Sequence, residues 1–148
     1  MILTTSRKPG RKTRSFAKIF SRFLGWKYIR RGKLSLRELK MGQICMILEI
    51  KGNPAVMSFF KNGIKTLEIL FSVSNVKKIE ISDGAVLFFG DKYNFFHAIP
   101  KKLIEKFDKK PYFEKIIVEK DDELLFYFKK QLLFKIRLLK VKQIQQNL

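Results

Sequence analysis

The hydrophobic period of this chain changes to two near residue 43, and that change limits the fold more than any single motif. Before it, Phe16, Ile19, Phe20, Phe23 and Leu24 recur at helical spacing and share one face at 100° per residue. The spacing predicts a helix that starts between Pro9 and Thr13, because proline suits a first turn, and that stops at Gly25, which suits a C-terminal cap. Met1 to Thr5 reads as a short strand and Ser6 to Gly10 as a loop. Together they aim helix N-terminal amides at any nearby anion. Trp26 to Lys33 reads as a short strand running into a turn, with Trp26 and Tyr28 on one face. Ser35-Leu36-Arg37-Glu38 is a capping box opening a short helix that ends near Gly42.

Beyond the change the period is two, punctuated by hairpin dipeptides. Ile44 to Lys51 is a strand and Gly52-Asn53-Pro54 a turn. Ala55 to Lys61 leads through Asn62-Gly63, a type I′ signal, into Ile64 to Ser72. Val76 to Ser82 and Ala85 to Phe89 flank Asp83-Gly84, a second hairpin signal. Pro100 opens a helix through about Asp108 with Leu103, Ile104 and Phe107 on its apolar face, and Pro111 ends it. Tyr112 to Glu119, Glu123 to Lys129 and Leu132 to Lys140 read as strands around Asp121-Asp122, the last also compatible with helix by composition. A frayed tail is expected over residues 143–148. No linker or internal repeat is visible. At 148 residues the chain matches one domain that buries roughly 68–70% of its unfolded surface.

Charge separates the function classes. The formal charge is +19, and residues 1–40 hold 13 Lys and Arg against one acid, Glu38, while residues 41–148 hold 19 against 12. Seven of the eight arginines fall in the first 37 residues. A drift toward lysine would not cluster arginine, whose planar fork of donors suits phosphate, so the partner is a polyanion. On the predicted helix, Arg11, Arg14, Lys18 and Arg22 form a stripe opposite the apolar face. A plainly solvated face competes with the phosphate-binding reading for Lys18 or Arg22 taken singly, less so for the group.

Other classes find less support. The longest apolar runs, as at Ile44 to Leu48, have five residues, far below the roughly 18 of a membrane span. No apolar region follows the first residues, and the expected location is cytoplasmic. One cysteine, Cys45, and one histidine, His97, supply neither an internal disulfide nor a zinc site, so no cofactor or metal is expected. A basic amphipathic helix with Trp26 could lie on anionic lipid, which makes a peripheral membrane-surface protein the alternative. A domain of this size needs that apolar face for its own core. An RNA-modifying or RNA-cleaving enzyme would have to build its site on Asp121, Asp122 and Glu123, where a solvated turn is the simpler reading. For Trp26 and Tyr28, core packing outweighs base stacking.

Three segments, "ILTTSRKPGRKTRSFAKIFSRFLGWKYIRRGKLSLREL", "KGNPAVMSFF" and "LLFKIRLLKV", resemble the short archaeal Brix-domain proteins of ribosome biogenesis. The matching elements are Thr4 to Pro9, Lys12 to Phe16, Arg31 to Leu36 and Gly52 to Pro54, in family order. Gly10 replaces a frequent serine and Arg30 a usual asparagine; neither change removes positive charge. The resemblance implies an α/β fold over residues 1–142. It would be a single compact domain of two interlocked halves, each similar to the anticodon-binding domains of class II aminoacyl-tRNA synthetases, with a mixed sheet and few helices. It implies a non-catalytic role in rRNA processing and subunit assembly. The partners would be rRNA or pre-rRNA and ribosome assembly proteins, with no membrane, and the protein a monomer. Combined with the charge pattern, the expected RNA-binding residues are Arg7, Lys8, Arg11, Arg14, Lys18, Arg22, Arg31, Lys33 and Arg37.

Overall fold

Strand β1 (Ile2–Thr5) leads into α1 (Arg11–Leu24) and then β2 (Lys27–Tyr28), in a computed structural model that describes residues 1–35, 39 and 42–144. Helix α1 ends as expected. Gly25 adopts φ 71°, its amide donates to the Arg22 carbonyl, and the Trp26 amide donates 2.9 Å to the Ser21 carbonyl, the crossed pair of a Schellman cap. Three strands follow, β3 (Gln43–Ile50), β4 (Asn53–Lys61) and β5 (Ile64–Ser74). Then come β6 (Val86–Phe89), β7 (Ile99–Pro100), α2 (Lys101–Ile104), β8 (Lys115–Lys120), β9 (Glu123–Phe128) and β10 (Gln131–Gln143). The closing segment is therefore strand, not helix. The expected capping box lies largely outside the described residues.

The ten strands of the described residues form one sheet in the order β2-β1-β3-β4-β5-β10-β9-β8-β6-β7. Read from either edge inward, the order repeats: a short edge strand, a parallel neighbour, a parallel third strand, then two antiparallel strands meeting at β5 and β10. The fold is thus duplicated, which the sequence hides because only the first half carries a long helix between its first two strands. The halves share a structural device as well. In the first, the Glu49 carboxylate accepts from the Gly10 amide at 3.0 and 3.3 Å and from the Thr13 hydroxyl at 2.6 Å. In the second, the Glu119 carboxylate accepts from the amides of Asp91, Lys92 and Tyr93 at 2.7–3.4 Å. Each carboxylate sits on the third strand of its half and gathers the chain leaving the first. The approach is close enough at Gly90 that an added Cβ would lie 2.5 Å from Glu119 Cβ.

The two halves interlock through α1. Its buried residues include Phe16, Phe20 and Phe23, whose rings meet partners from both halves: Phe16 lies 5.8 Å from Phe71 on β5 and 5.4 Å from Phe134 on β10, and Phe20 lies 5.8 Å from Phe126 on β9. Phe126 and Phe134 stack at 4.4 Å. One amphipathic helix therefore covers a core built by strands about sixty residues apart in the chain, and aromatic pairs of this kind add to the area term. Trp26 is half-buried and packs against the same cluster, 6.1 Å from Phe20 and 6.4 Å from Phe59. Cys45 is fully buried, and burial pushes its thiol pKa up.

Several sequence expectations are corrected. The first hairpin turns at Lys51-Gly52, both with positive φ (52° and 79°), while Asn53 and Pro54 belong to β4. Pro54 is accommodated where the β3–β4 register shifts, so its missing amide interrupts no regular ladder. Asn62-Gly63 turns as expected, with φ of 52° and 82°. Val76 to Ser82 forms no strand, and Asp83-Gly84 no hairpin. β10 occupies the free edge of β5, and β6 pairs in parallel with β7 and β8. The 75–82 segment instead runs as a strap beside α1. Helix α2 is one turn long rather than reaching Asp108. Pro100 offers no side-chain cap, and the single turn holds no acid at its start. Leu103 and Phe107 are consequently exposed, as is Tyr112, and β8 begins only at Lys115. Gln143 pairs with Leu67 and the Ile144 amide donates to Thr66, so the ladder continues into the stretch expected to fray.

Candidate nucleic-acid interface

Helix α1 carries its cations where the sequence places them. Arg11, Arg14, Lys18 and Arg22 are all exposed, while the opposite face, with Phe20 and Phe23 at 0%, is sealed in the core. That burial removes the apolar surface on which a membrane-bound helix would depend. No helix among the described residues is long and apolar enough to cross a membrane.

Among the described residues no carboxylate forms an ion pair with these groups. Among the described residues the ion pairs are Lys65–Glu68 and Lys101–Glu105, and neither involves an expected RNA-binding residue. Arg22 is engaged differently: its Nε donates 3.0 Å to the Ile81 carbonyl of the strap. It therefore both carries charge and ties the strap to the helix, a role that periodicity alone does not reveal.

The nine expected residues do not form one continuous patch. Arg11, Lys18 and Arg22 lie along the flank of α1 that faces the strap, where they line two adjoining grooves with Lys78 and, at the N-terminal end, Lys12. Arg14 is exposed on the helix but lines neither groove. Arg7 and Lys8 are exposed in the link preceding α1, and Lys33 is exposed in the turn after β2. Arg31 is half-buried: its Nε donates to the Leu34 carbonyl and its Nη1 lies 3.2 Å from Met46 Sδ. Met46 aligns with Thr4 and Ser58, on the sheet face opposite the Phe-rich core, so Arg31 lies behind the sheet relative to α1. Burial lowers its pKa first, and the nearby Arg7 charge lowers it further. Arg37 lies outside the described residues.

The anion expected at the α1 N-terminus is supplied internally. Glu49 occupies the position that an external phosphate would take, satisfying Gly10 and Thr13, so this terminus is a staple between β3 and α1. Sequence reasoning misses two contributors. Lys12 lies 3.4 Å from Asn53 Oδ1, and Lys78 is in the strap. The signal for Lys78 is present as Lys77-Lys78 but is hidden when the segment is read as a hairpin strand.

The acidic trio is dispersed in role. Asp121 and Asp122 are exposed in the β8–β9 turn, and Glu123 is half-buried and aligned with Arg137 of β10. His97 is exposed with φ 56°.

No protein-family model matches the chain. Curated relatives do. It is 47% identical over 146 residues, 95% of each chain, to a probable Brix domain-containing ribosomal biogenesis protein of Archaeoglobus fulgidus. It is 46% identical over 91 residues, 58% of this chain and 59% of the other, to the protein of that name in Methanothermobacter thermautotrophicus. Among solved structures it is similar to Mil, an archaeal Imp4-like protein, with a TM-score of 0.76 at 30% identity, covering 97% of this chain and 99% of that one. A probable ribosomal biogenesis protein from Aeropyrum pernix shares the fold, with a TM-score of 0.64 at 18% identity over 98% of this chain and 96% of that one. With a ten-stranded mixed sheet and few helices among the described residues, and 47% identity over 95% of its length to the Archaeoglobus fulgidus relative, the chain belongs to the Brix-domain family of archaeal ribosomal biogenesis proteins.

Proposed function

We propose that this protein is a non-catalytic assembly factor that binds rRNA or pre-rRNA by its phosphates during ribosomal subunit biogenesis. The observation that carries the reading is the exposed cationic flank of α1, on which Arg11, Arg14, Lys18 and Arg22 have no carboxylate partner among the described residues. Arg7 and Lys8 in the link that precedes the helix, and Lys33 in the turn after β2, add further exposed cations. Arg31 contributes charge from behind the sheet, and Arg37 belongs to the same basic N-terminal third. The duplicated topology supports reading each half as a unit of the anticodon-binding type. Association takes place in the cytoplasm, alongside other assembly proteins.

Affinity in this reading comes from counterion release. With six to ten phosphates engaged, binding to structured rRNA weakens by roughly 10³–10⁵ between 50 and 200 mM salt. A titration of labelled rRNA fragments across that range tests it; affinity independent of salt rejects it.

A further inference from the structure

We propose that the groove between α1 and the strap receives an unpaired stretch of RNA, with phosphates on its rims and bases on its floor. This inference rests on the RNA-binding reading above and adds which form of RNA the surface selects.

Two depressions of about 540 Å³ each run end to end and share Ser15 and Lys78. Among the described residues their walls carry five cations, Arg11, Lys12, Lys18, Arg22 and Lys78, against one carboxylate, Glu80. Between the cations lie aliphatic side chains. Val76 is 36% exposed and Ile79 38% exposed, and Ile19 and Ile81 form the deeper surface. Arg11 and Arg22 are eleven positions apart on α1, about 16 Å along the axis, a span of only a few nucleotides.

An unpaired strand presents what such a channel requires, charged phosphates alternating with flat apolar base faces. A duplex does not. Its bases are stacked inside and its phosphates lie on a convex surface, so it meets the rim cations while leaving the aliphatic floor uncovered. The floor and the rims together therefore point to single-stranded RNA. The fixed strap matters here, because the Arg22 Nε to Ile81 carbonyl bond holds the channel wall against the helix.

The test compares a labelled 12-nucleotide oligouridine with a fully paired RNA hairpin of equal phosphate count, bound to the full-length chain at one salt concentration. The oligouridine is expected to bind at least tenfold more tightly. Ile79→Ser combined with Val76→Ser keeps the charge and removes exposed floor, and should cost the single strand roughly tenfold while leaving the hairpin unchanged. Crosslinking 4-thiouridine oligonucleotides to the unaltered chain should label residues 72–82, an arm that stands even if the double variant does not fold. Equal affinity for both RNAs, labelling confined elsewhere, or displacement of the oligonucleotide by an acidic leucine-containing peptide at lower concentration than by free RNA would each overturn the proposal. Failure of both RNAs to bind in a salt-dependent way would instead overturn the RNA reading on which it rests.

Discussion

Because the Glu49 carboxylate accepts from the Gly10 amide and the Thr13 hydroxyl, its removal leaves two donors at the start of α1 without an acceptor and the dipole without a counter-charge. Glu49→Ala should cost about 2 kcal/mol, a fall in Tm of about 4–8 °C for a chain of this size, measured by thermal denaturation. An unchanged Tm would mean that the carboxylate only covers a solvated terminus. Lys115 offers a second residue-scale test. Its side chain is buried, its Nζ lies 3.4 Å from the Arg22 carbonyl near the end of α1, and burial lowers its pKa despite Asp83 and Glu114. The unfolded chain therefore holds this proton more tightly than the folded one. The cost is fully present below the folded pKa and is relieved as pH rises toward the unfolded value of about 10.4. The Tm of Lys115→Met relative to the unaltered protein should accordingly be more favourable at pH 7 than at pH 10.5; a constant difference would remove the linkage.

At the scale of elements, α1 serves both halves of the sheet, and Phe20 sits at the junction, in ring contact with Trp26, Phe96, Phe126 and Phe134. Phe20→Ala should cost about 3–5 kcal/mol in a single cooperative transition followed by denaturant. Two separate transitions would show that the halves fold independently. The bounds of this helix are legible because their causes are local: Pro9 and Gly25 bracket a five-residue apolar stripe. The strap is not. Val76, Ile79 and Ile81 followed by Asp83-Gly84 imitate a strand entering a hairpin, and nothing nearby in the sequence announces that β10, some sixty residues later, will take the edge of β5. The length of α2 is overread for a related reason. Leu103, Ile104 and Phe107 have helical spacing, but the first turn has no acid and no side-chain cap, and of the three only Ile104 is buried.

Across the whole molecule, duplication of a five-strand unit explains why one long helix suffices: it bridges the cores of two half-sheets that meet at β5 and β10. The same arrangement divides the basic residues. Those on α1 and the strap share one flank, whereas Arg31 is drawn to the other sheet face by the parallel pairing of β1 with β3. Charge clustering in the sequence therefore identifies the polyanion-facing third of the chain but does not resolve it into surfaces, since that depends on which strands become neighbours. It also misses Lys78, brought to α1 from 60 residues beyond Lys18. The central claim is that the α1 flank itself holds RNA phosphates. The most direct measurement is the salt dependence of rRNA-fragment binding by Arg11→Gln/Arg14→Gln/Lys18→Gln, which leaves the strap-tying Arg22 intact. The slope of log affinity against log salt should become shallower by about 0.7–0.9 for each phosphate no longer held, with Tm nearly unchanged. A slope and affinity equal to those of the unaltered protein would contradict the account.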